Sequence, residues 1–310
     1  MVVARGLWIA NAPCSYGAFE DTVGVQEGLP EPREILAHIA ESGYDGTDLG
    51  PLGWLGEGEV LAQALESRGL GLAGGYLELP FTQPDRMEHA LPDLDRLLTI
   101  FETVRAAAPR APAPRPTLSD QGSPLRRANP GRANIDRELG LEDAEWKVLA
   151  GNVTRARDRC LERGFEPTFH HHTTSHVEAP WEVERLLELT DIGLCLDTGH
   201  LLVGGGDPVS ALRDWSDRIN HLHLKDCRTA VIERIVEERA PSDEVWRRHA
   251  FCRLGTGDLD IDRFLETVFD LGFEGWLVVE QDGILDEEWP LERAFDDQAA
   301  NRSYLKDRGL

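Results

Sequence analysis

One pattern recurs four times along the chain and limits its fold more than any other feature. A stretch with helical spacing ends at a glycine, an aromatic or apolar residue follows, and a short β-forming run then ends on polar residues. The helices end at Gly43, Gly69, Gly164 and Gly272. Glycine adopts the left-handed conformation at a helix end at little cost. Helices that alternate with strands in this way favour a parallel sheet with right-handed crossovers.

Counting these units and the β-forming runs between them predicts eight strands. They lie near residues 7–13, 44–50, 71–79, 113–119, 166–172, 192–198, 219–225 and 275–281. Apolar residues at helical spacing predict helices at 32–41, 181–189 and 261–271. Eight units indicate an α/β fold, a (β/α)8 barrel that forms a single domain over residues 1–310. The alternative is an open doubly wound sheet, but no G-x-G-x-x-G motif follows the first strand.

Two stretches do not fit the repeating unit. Residues 120–141 are rich in Gly, Pro, Asn and Arg without a strong period, and residues 228–252 are charged and partly helical in pattern. Long connections in compact domains are often functional. We therefore expect both as long loops over the C-terminal mouth of the barrel.

The charge and composition exclude several partners. The formal net charge of −24 argues against a nucleic-acid partner, because phosphate contacts need a basic face. No apolar run approaches the roughly 20 residues that span a bilayer, so no membrane partner is expected. Residues 1–12 lack the pattern of a signal peptide.

The cysteines point to a reducing compartment. There are five, none of them in a C-x-x-C spacing, at Cys14, Cys160, Cys195, Cys227 and Cys252. An odd, scattered set indicates no disulfide framework. The sequence therefore predicts a cytoplasmic protein. A homo-oligomer is compatible with the fold, although no interface can be identified from the residues alone.

Four polar clusters follow apolar β-forming runs in the second half of the chain. They are Phe169-His170-His171-His172, Cys195 to His200, His221 to Asp226, and Val278 to Asp282. In a barrel the C-terminal strand ends meet at one mouth, where active sites are found. We therefore expect these side chains to lie close together.

The alternation of side chains along a strand selects residues within each cluster. His170 and His172 share one face, and Glu280 lies two positions beyond Val278. On the strand between them, one face is shared by His221, His223 and Lys225. Imidazole nitrogens and carboxylate oxygens suit divalent Mn²⁺, Co²⁺, Fe²⁺, Mg²⁺ or Zn²⁺. The sequence therefore predicts one divalent metal ion as cofactor, with Mn²⁺ or Co²⁺ favoured.

Each of these residues also has a structural interpretation. A single histidine at a strand end is often only hydrogen-bonded, and we expect His171 to point into the barrel wall or the helix layer. His176 and His249 are predicted loop residues. Asp197 followed by Thr198 is typical of a helix N-cap, and Asp226 of a cap or turn. The metal-site hypothesis depends on four clusters at successive strand ends rather than on any single one.

Longer motifs at these positions resemble a known family. The segments are His170 to Thr173, Leu196 to His200, His221 to Asp226, Gly255 to Asp260 and Gly275 to Asp282, with weaker likeness at Ala10 to Pro13 and Gly46 to Gly50. Together they are similar to the sugar-phosphate isomerase/epimerase group of xylose-isomerase-like barrels, and within it to the inosose (2-keto-myo-inositol) dehydratases. The likeness is strong over residues 164–282 and diffuse before them.

The resemblance implies one metal ligand from each of the last four strands. By motif these are Asp197, His223 and Glu280, with His170 favoured and His172 as the alternative. Many members of the group carry Glu at that first position, so the imidazole here favours a dehydratase over a two-carboxylate epimerase. The resemblance also implies that His172, Glu178, His200 and Lys225 contact substrate.

The implied reaction is the dehydration of a small polyhydroxylated ketone, a keto-inositol, through an enediolate. Glu280 or a histidine of the fifth strand is the candidate base, and Lys225 or His200 the candidate acid. The first alternative is an isomerase or epimerase acting on a free or phosphorylated sugar. A phosphate would favour basic residues at the mouth, where Arg126, Arg127 and Arg132 are the candidates. Two further alternatives are a DNA endonuclease, which the charge argues against, and a barrel that binds without turnover.

Overall fold

The computed structural model describes residues 6–107 and 111–310. Residues 1–5, which are part of the N-terminal segment considered above for a signal peptide, lie outside the described residues. The strands are β1 Leu7–Asn11, β2 Gly46–Thr47, β3 Gly71–Leu72, β4 Gly74–Leu79, β5 Arg115–Asp120, β6 Thr168–His170, β7 Gly193–Asp197, β8 Ile219–Leu224, β9 Asp226–Cys227, β10 Phe251–Cys252 and β11 Gly275–Val279. Each predicted strand is present, and most end earlier than predicted because their last polar residues leave the sheet.

The sheet closes on itself. Its strand order is β3-β2-β1-β11-β8-β7-β6-β5-β4, and all of its pairs are parallel. The two end strands, β3 and β4, are parts of one strand separated only by Ala73. The Ala73 N–H donates to Thr47 at 2.8 Å, and the Ala73 carbonyl accepts from Arg115 at 3.0 Å. One residue therefore joins both edges, and the prediction of an eight-stranded barrel is confirmed.

Helices surround the barrel. They are α1 Pro32–Ser42, α2 Gly58–Glu66, α3 Pro84–Ala107, α4 Pro124–Arg127, α5 Asp143–Glu162, α6 Pro180–Leu189, α7 Thr198–Val203, α8 Pro208–Asp214, α9 Thr229–Glu238, α10 Asp243–Arg247, α11 Ile261–Asp270 and α12 Leu291–Lys306. The three predicted helices correspond to α1, α6 and α11. Within the described residues, no helix has the length and apolar character needed to cross a membrane.

A tryptophan closes the N-terminal end of the barrel. The Trp276 side chain is 1% exposed. A Cβ atom would come within 2.7 Å of its ring at Gly46 and within 2.9 Å at Gly71, so both strands need glycine there. The large ring fills the interior at this end and leaves the opposite, C-terminal end as the place for a site.

The two unusual stretches meet each other over the mouth. Residues 120–141 carry α4 and a short 3₁₀ helix, and residues 228–252 carry α9 and α10. The Ser242 N–H donates to the Arg127 carbonyl at 2.8 Å. The Arg132 guanidinium donates to the Val236 carbonyl at 3.1 Å. These bonds tie the two segments together, as expected for connections that cover the mouth.

Asp226 organises the chain after β8. Its carboxylate accepts four backbone N–H groups, from Cys227 at 2.9 Å, Gly255 at 2.9 Å, Gly257 at 2.8 Å and Leu259 at 3.1 Å. A Cβ atom at Gly257 would lie 2.3 Å from this carboxylate. The Gly255 to Asp260 motif is therefore a loop folded around one carboxylate, in line with the expected turn role of Asp226.

We expect Asp226→Ala to lower the free energy of unfolding by about 3 kcal/mol, because it leaves buried N–H groups without an acceptor. Urea denaturation followed by circular dichroism measures the change. Asp270→Ala, at an exposed position, is the control and should change stability by less than about 0.5 kcal/mol. Equal stability of the two variants would contradict the role of Asp226.

Candidate metal centre and active site

Four side chains from neighbouring strands converge at the mouth. Strands β6, β7, β8 and β11 are adjacent in the sheet. Parallel pairing sets Asp197 opposite His223, and His223 opposite Val278. Glu280 follows β11 two residues beyond Val278 and so reaches the same level, and His170 ends β6. The register of the barrel therefore brings together the residues that the alternation selects.

The distances in this cluster are short. His223 Nδ1 lies 2.8 Å from Glu280 Oε2, 3.2 Å from His170 Nε2 and 3.6 Å from Asp197 Oδ2. His170 Nε2 lies 3.5 Å from Asp197 Oδ2. One ligand atom of each residue is within 4.8 Å of the other three, and all four side chains are buried. The geometry groups His170, rather than His172, with the other three residues.

The cluster fits a divalent metal ion. Two imidazole nitrogens and two carboxylate oxygens are a donor set that Mn²⁺, Co²⁺, Fe²⁺ and Zn²⁺ accept. Burial lowers the pKa of His170, so its ring is neutral and can offer a lone pair. Within the described residues, the buried Asp197 Oδ2 makes no hydrogen bond of good geometry, although the Lys225 ammonium lies 3.1 Å away. A cation at the centre of the cluster would give this oxygen a direct ligand contact beside its ion pair with Lys225.

Asp197 uses its two oxygens differently. Oδ1 accepts the His200 N–H at 2.9 Å and caps α7, while Oδ2 faces the cluster. The expected helix-cap role is therefore present, and it fixes the carboxylate in the orientation that a ligand needs. Capping and metal binding are compatible in this residue.

Lys225 lies at the centre of the charges. Its Nζ is 2.6 Å from Asp282 Oδ2, 3.1 Å from Asp197 Oδ2 and 3.2 Å from Glu280 Oε2. Burial lowers the pKa of Lys225, but the attraction of these three carboxylates outweighs it and raises the pKa well above its usual value. Burial would raise the pKa of Asp197, yet the Lys225 ammonium holds it well below its usual range. Both groups are therefore charged near neutral pH.

His200 continues this chain of contacts. Its Nε2 lies 3.2 Å from Lys225 Nζ, and its Nδ1 lies 2.9 Å from Thr173 Oγ1. Burial and the adjacent Lys225 lower the pKa of His200 well below its usual value. The His200 Nδ1 also lies 3.4 Å from the Thr173 backbone N–H, so the contacts with Lys225 and Thr173 are compatible with either tautomer of the ring. His172 packs beside it, with ring centroids 4.0 Å apart.

The cavity above the cluster contains residues that the sequence reasoning did not select. Besides His170, His172, His200, His223, Lys225 and Glu280, its walls include Phe19, Asp48, Tyr76, Glu78, Trp246 and Asp282. Tyr76 and Glu78 belong to β4, where the Tyr76 hydroxyl donates to Glu78 at 3.0 Å. The same alternation rule, applied to residues 71–79, would have found both. Phe19 lies in an irregular segment, and Trp246 lies in the five-residue helix α10, which is too short for a periodic pattern to predict its buried face.

Glu178 lies away from the cavity, although the resemblance implies that it contacts substrate. It lies outside the cavity lining that the described residues form. Its carboxylate pairs with Arg126 at 3.2 Å and accepts the Gly131 N–H at 3.0 Å. Arg126 also binds Glu182 through two N–H groups at 2.9 Å each, and these three side chains are almost fully buried. The structure thus gives Glu178 a role in anchoring the 120–141 segment to the start of α6.

The other histidines have structural contacts. His171 Nε2 accepts the Asp197 N–H at 3.2 Å, which places it in the barrel wall as expected. His176 lies in a loop, where its Nδ1 is 2.6 Å from Asp120 Oδ2. His249, also in a loop, lies 3.1 Å from Asp286. These three residues support the loops and strands around the cluster.

Comparison with known proteins now identifies the family. The model of the xylose isomerase-like TIM barrel family matches residues 36–301. The chain belongs to this family. The matched residues include β6, β7, β8 and β11, whose C-terminal ends carry the cluster described above.

Among individual relatives, inosose dehydratase of Geobacillus kaustophilus is 30% identical over 276 residues, 88% of this chain and 86% of that protein. A solved structure of a probable 3-DHS dehydratase from Bacillus anthracis superposes with a TM-score of 0.69 at 15% identity, covering 96% and 98% of the two chains. A D-allulose 3-epimerase from Methylomonas sp. gives 0.65 at 16% identity and covers both chains fully. The two structures support the fold, and the prediction that the chain is an enzyme is confirmed by these relatives.

The anchoring role of Arg126 can be tested by removing it. Arg126→Ala leaves Glu178 and Glu182 buried without their cation, so we expect unfolding to become easier by about 3–5 kcal/mol. Thermal and urea unfolding measure this loss, and Arg157→Ala, whose Asp158 partner is exposed, is the matched control. A stable Arg126→Ala variant that loses only substrate affinity would instead place this cluster in the binding site.

Proposed function

We propose that this protein is a divalent-metal-dependent lyase that dehydrates a small uncharged polyhydroxylated ketone of the keto-inositol type. The observation that carries the proposal is the convergence of His170, Asp197, His223 and Glu280 beside the Lys225 ammonium. The similarity to an inosose dehydratase over most of both chains supports the choice of reaction and substrate class.

The four clustered side chains would hold the ion, and a bound divalent cation would supply Lewis-acid polarisation of the substrate carbonyl. The residues around it then bind and orient the substrate. The cavity walls offer carboxylates and imidazoles as acceptors for its hydroxyl groups, and the Lys225 ammonium as a donor.

Glu280 is the proposed base. Its Oε2 faces His223 within the cluster, whereas its Oε1 lies 3.6 Å from the Cys14 thiol, which is part of the cavity lining. The second oxygen is therefore directed toward the space that a substrate would occupy. It would take the proton from the carbon next to the carbonyl, and the electrons of that C–H bond would form the new carbon–carbon double bond.

Lys225 is the proposed acid for the departing hydroxyl. Its ammonium lies within hydrogen-bond distance of Asp282 and His200 and lines the cavity. As the β-carbon–oxygen bond breaks, the oxygen takes a proton from Lys225 and leaves as water. Asp282 holds the ammonium in place, and neutral His200 can accept or return a proton on the far side.

The charges at the mouth favour an uncharged substrate over a phosphorylated one. Arg126 is bound to buried carboxylates, Arg132 donates to a backbone carbonyl, and Arg127 faces Glu78 at 3.8 Å. The cavity lining contains six carboxyl groups, namely Glu20, Asp21, Asp48, Glu78, Glu280 and Asp282, beside the cations Arg127 and Lys225. Arg127 already faces Glu78 and Lys225 is paired with Asp282, so neither of these two cations is free for a phosphate.

An isomerase or epimerase would begin with the same proton removal and then return the proton to another atom or face. The first ligand position argues for the lyase, because His170 stands there. A second carboxylate would be the natural group to deliver a proton to the opposite face of a sugar.

The metal assignment predicts the effect of removing single ligands. We expect Asp197→Ala and Glu280→Ala to lose bound Mn²⁺ or Co²⁺, measured by elemental analysis after dialysis. Asp207→Ala is a matched control, because Asp207 caps α8 as Asp197 caps α7 but lies away from the cluster. Glu287→Ala, at an exposed position, is the control for Glu280. Full metal occupancy in both ligand variants would refute the site.

The reaction assignment predicts an ultraviolet-absorbing α-hydroxy-enone, the enol form of a 1,2-diketone, when the metal-loaded protein is mixed with 2-keto-myo-inositol. We expect Lys225→Met to reduce the rate at least about 100-fold, since general acid–base groups contribute roughly 10²–10⁴-fold. Inorganic phosphate should not inhibit, because Arg127 and Lys225 are already paired with carboxylates. Consumption of the substrate without an absorbing product would indicate an isomerase instead.

A further inference from the structure

A second buried group of polar side chains lies next to the proposed metal centre. Asp48 follows β2, and His221 precedes His223 by two residues on the same face of β8. One ligand atom of each of Asp48, His221 and His223 lies within 4.8 Å of the other two. The three side chains are 3%, 0% and 2% exposed. Asp48 and His221 have no part in the reaction proposed above.

Several polar atoms in this group have no partner among the described residues. They are Asp48 Oδ2, both ring nitrogens of His221, and Nε2 of His223. His223 Nδ1 already faces Glu280 and His170, so Nε2 is the nitrogen left for a contact on the other side. A buried polar atom without a partner is destabilising. The side chains of Asp48, His221 and His223 are within reach of one another, so each can supply the partner that another lacks.

Two local features hold the Asp48 carboxylate in place. Its Oδ1 accepts the Gly50 N–H at 3.2 Å, which fixes the side chain against its own loop. A Cβ atom at Gly74 would lie 2.9 Å from Asp48 Oδ2, so the glycine of β4 leaves room for the carboxylate. The sequence thus provides both an anchor for Asp48 and the space that it occupies.

We propose that Asp48 is a positioning residue for the metal ligand His223, a role that rests on the metal centre proposed above. Asp48 Oδ2 accepts the N–H of His223 Nε2 and an N–H of His221. This bond fixes the tautomer of His223 with its lone pair on Nδ1, directed at the ion. Histidine ligands commonly donate their second N–H to a carboxylate in this way, which orients the ring and strengthens its binding.

A hydrogen-bonded triad explains this group better than a second metal ion. The group has one carboxylate and two imidazole rings, so a single carboxylate oxygen can accept from two N–H donors. A second ion would have to share the ring of His223 with the first. The triad needs only small side-chain shifts within distances that are already below 4.8 Å.

The test is the affinity of the full chain for Zn²⁺ and Mn²⁺, measured by chelator competition. We expect Asp48→Asn to weaken binding by about 10- to 100-fold while the stoichiometry remains one ion per chain. His221→Phe keeps the carboxylate and should weaken binding less. Asp21→Asn is the matched control, because Asp21 lies on the cavity wall at an exposed position and should leave the affinity unchanged.

A second readout separates positioning from a general loss of structure. In the zinc-loaded wild type, the Nε2 proton of His223 should give a slowly exchanging, downfield NMR signal that is absent from Asp48→Asn. Unchanged zinc affinity in folded Asp48→Asn overturns the inference and leaves the metal centre intact. Two ions in the wild type and one in the variant overturn it in favour of a second metal site. No ion in the wild type overturns the metal centre together with the role of Asp48.

Discussion

The mouth of this barrel depends on the charge balance around one buried ammonium group. Asp197, Glu280 and Asp282 each lie within 3.2 Å of Lys225 Nζ. Burying carboxylates is costly unless they are paired. Three carboxylates and one ammonium leave two negative charges when the rings of His170, His200 and His223 are all neutral. Burial keeps His170 and His200 neutral. Burial also lowers the pKa of His223, but Cys195 and Glu280 outweigh it and raise that pKa well above its usual value, so the ring holds a proton that metal binding would displace. A divalent cation in place of this proton would balance the remaining charge, in agreement with the donor set.

The rest of the structure keeps these groups in fixed positions. The first turn of α7 holds Asp197, and Thr198 Oγ1 accepts the Lys225 N–H at 2.8 Å. Asp226 folds the following loop, and Arg126 ties the 120–141 segment to α6. Precise placement of reacting groups by packed, hydrogen-bonded neighbours is what catalysis requires. Helix α7, the loop around Asp226 and the 120–141 segment therefore hold the residues of the site in place.

The repeating glycine-ended helices and the strand-end clusters were sufficient to predict the barrel and the grouping of Asp197, His223 and Glu280, because parallel strands bring their C-terminal ends together. The choice of His170 over His172 needed the actual distances. Glu178 could not be placed from the sequence, because its partner Arg126 is 52 residues away. The role proposed for Asp48 could not be predicted from the sequence for a similar reason, because His221 and His223 lie on a strand that is distant in the chain. Trp246 lies in the short helix α10 of the second insertion, and five residues are too few for a periodic pattern to predict which side chains are buried.

The central claim is that one divalent ion lies between four strand ends. A crystal structure of the protein grown with Mn²⁺, with anomalous data collected near the manganese edge, tests it most directly. The account predicts one strong peak about 2 Å from His170 Nε2, Asp197 Oδ2, His223 Nδ1 and Glu280 Oε2. A fully loaded protein with its peak elsewhere, or with Lys225 Nζ in the place of the ion, would contradict it.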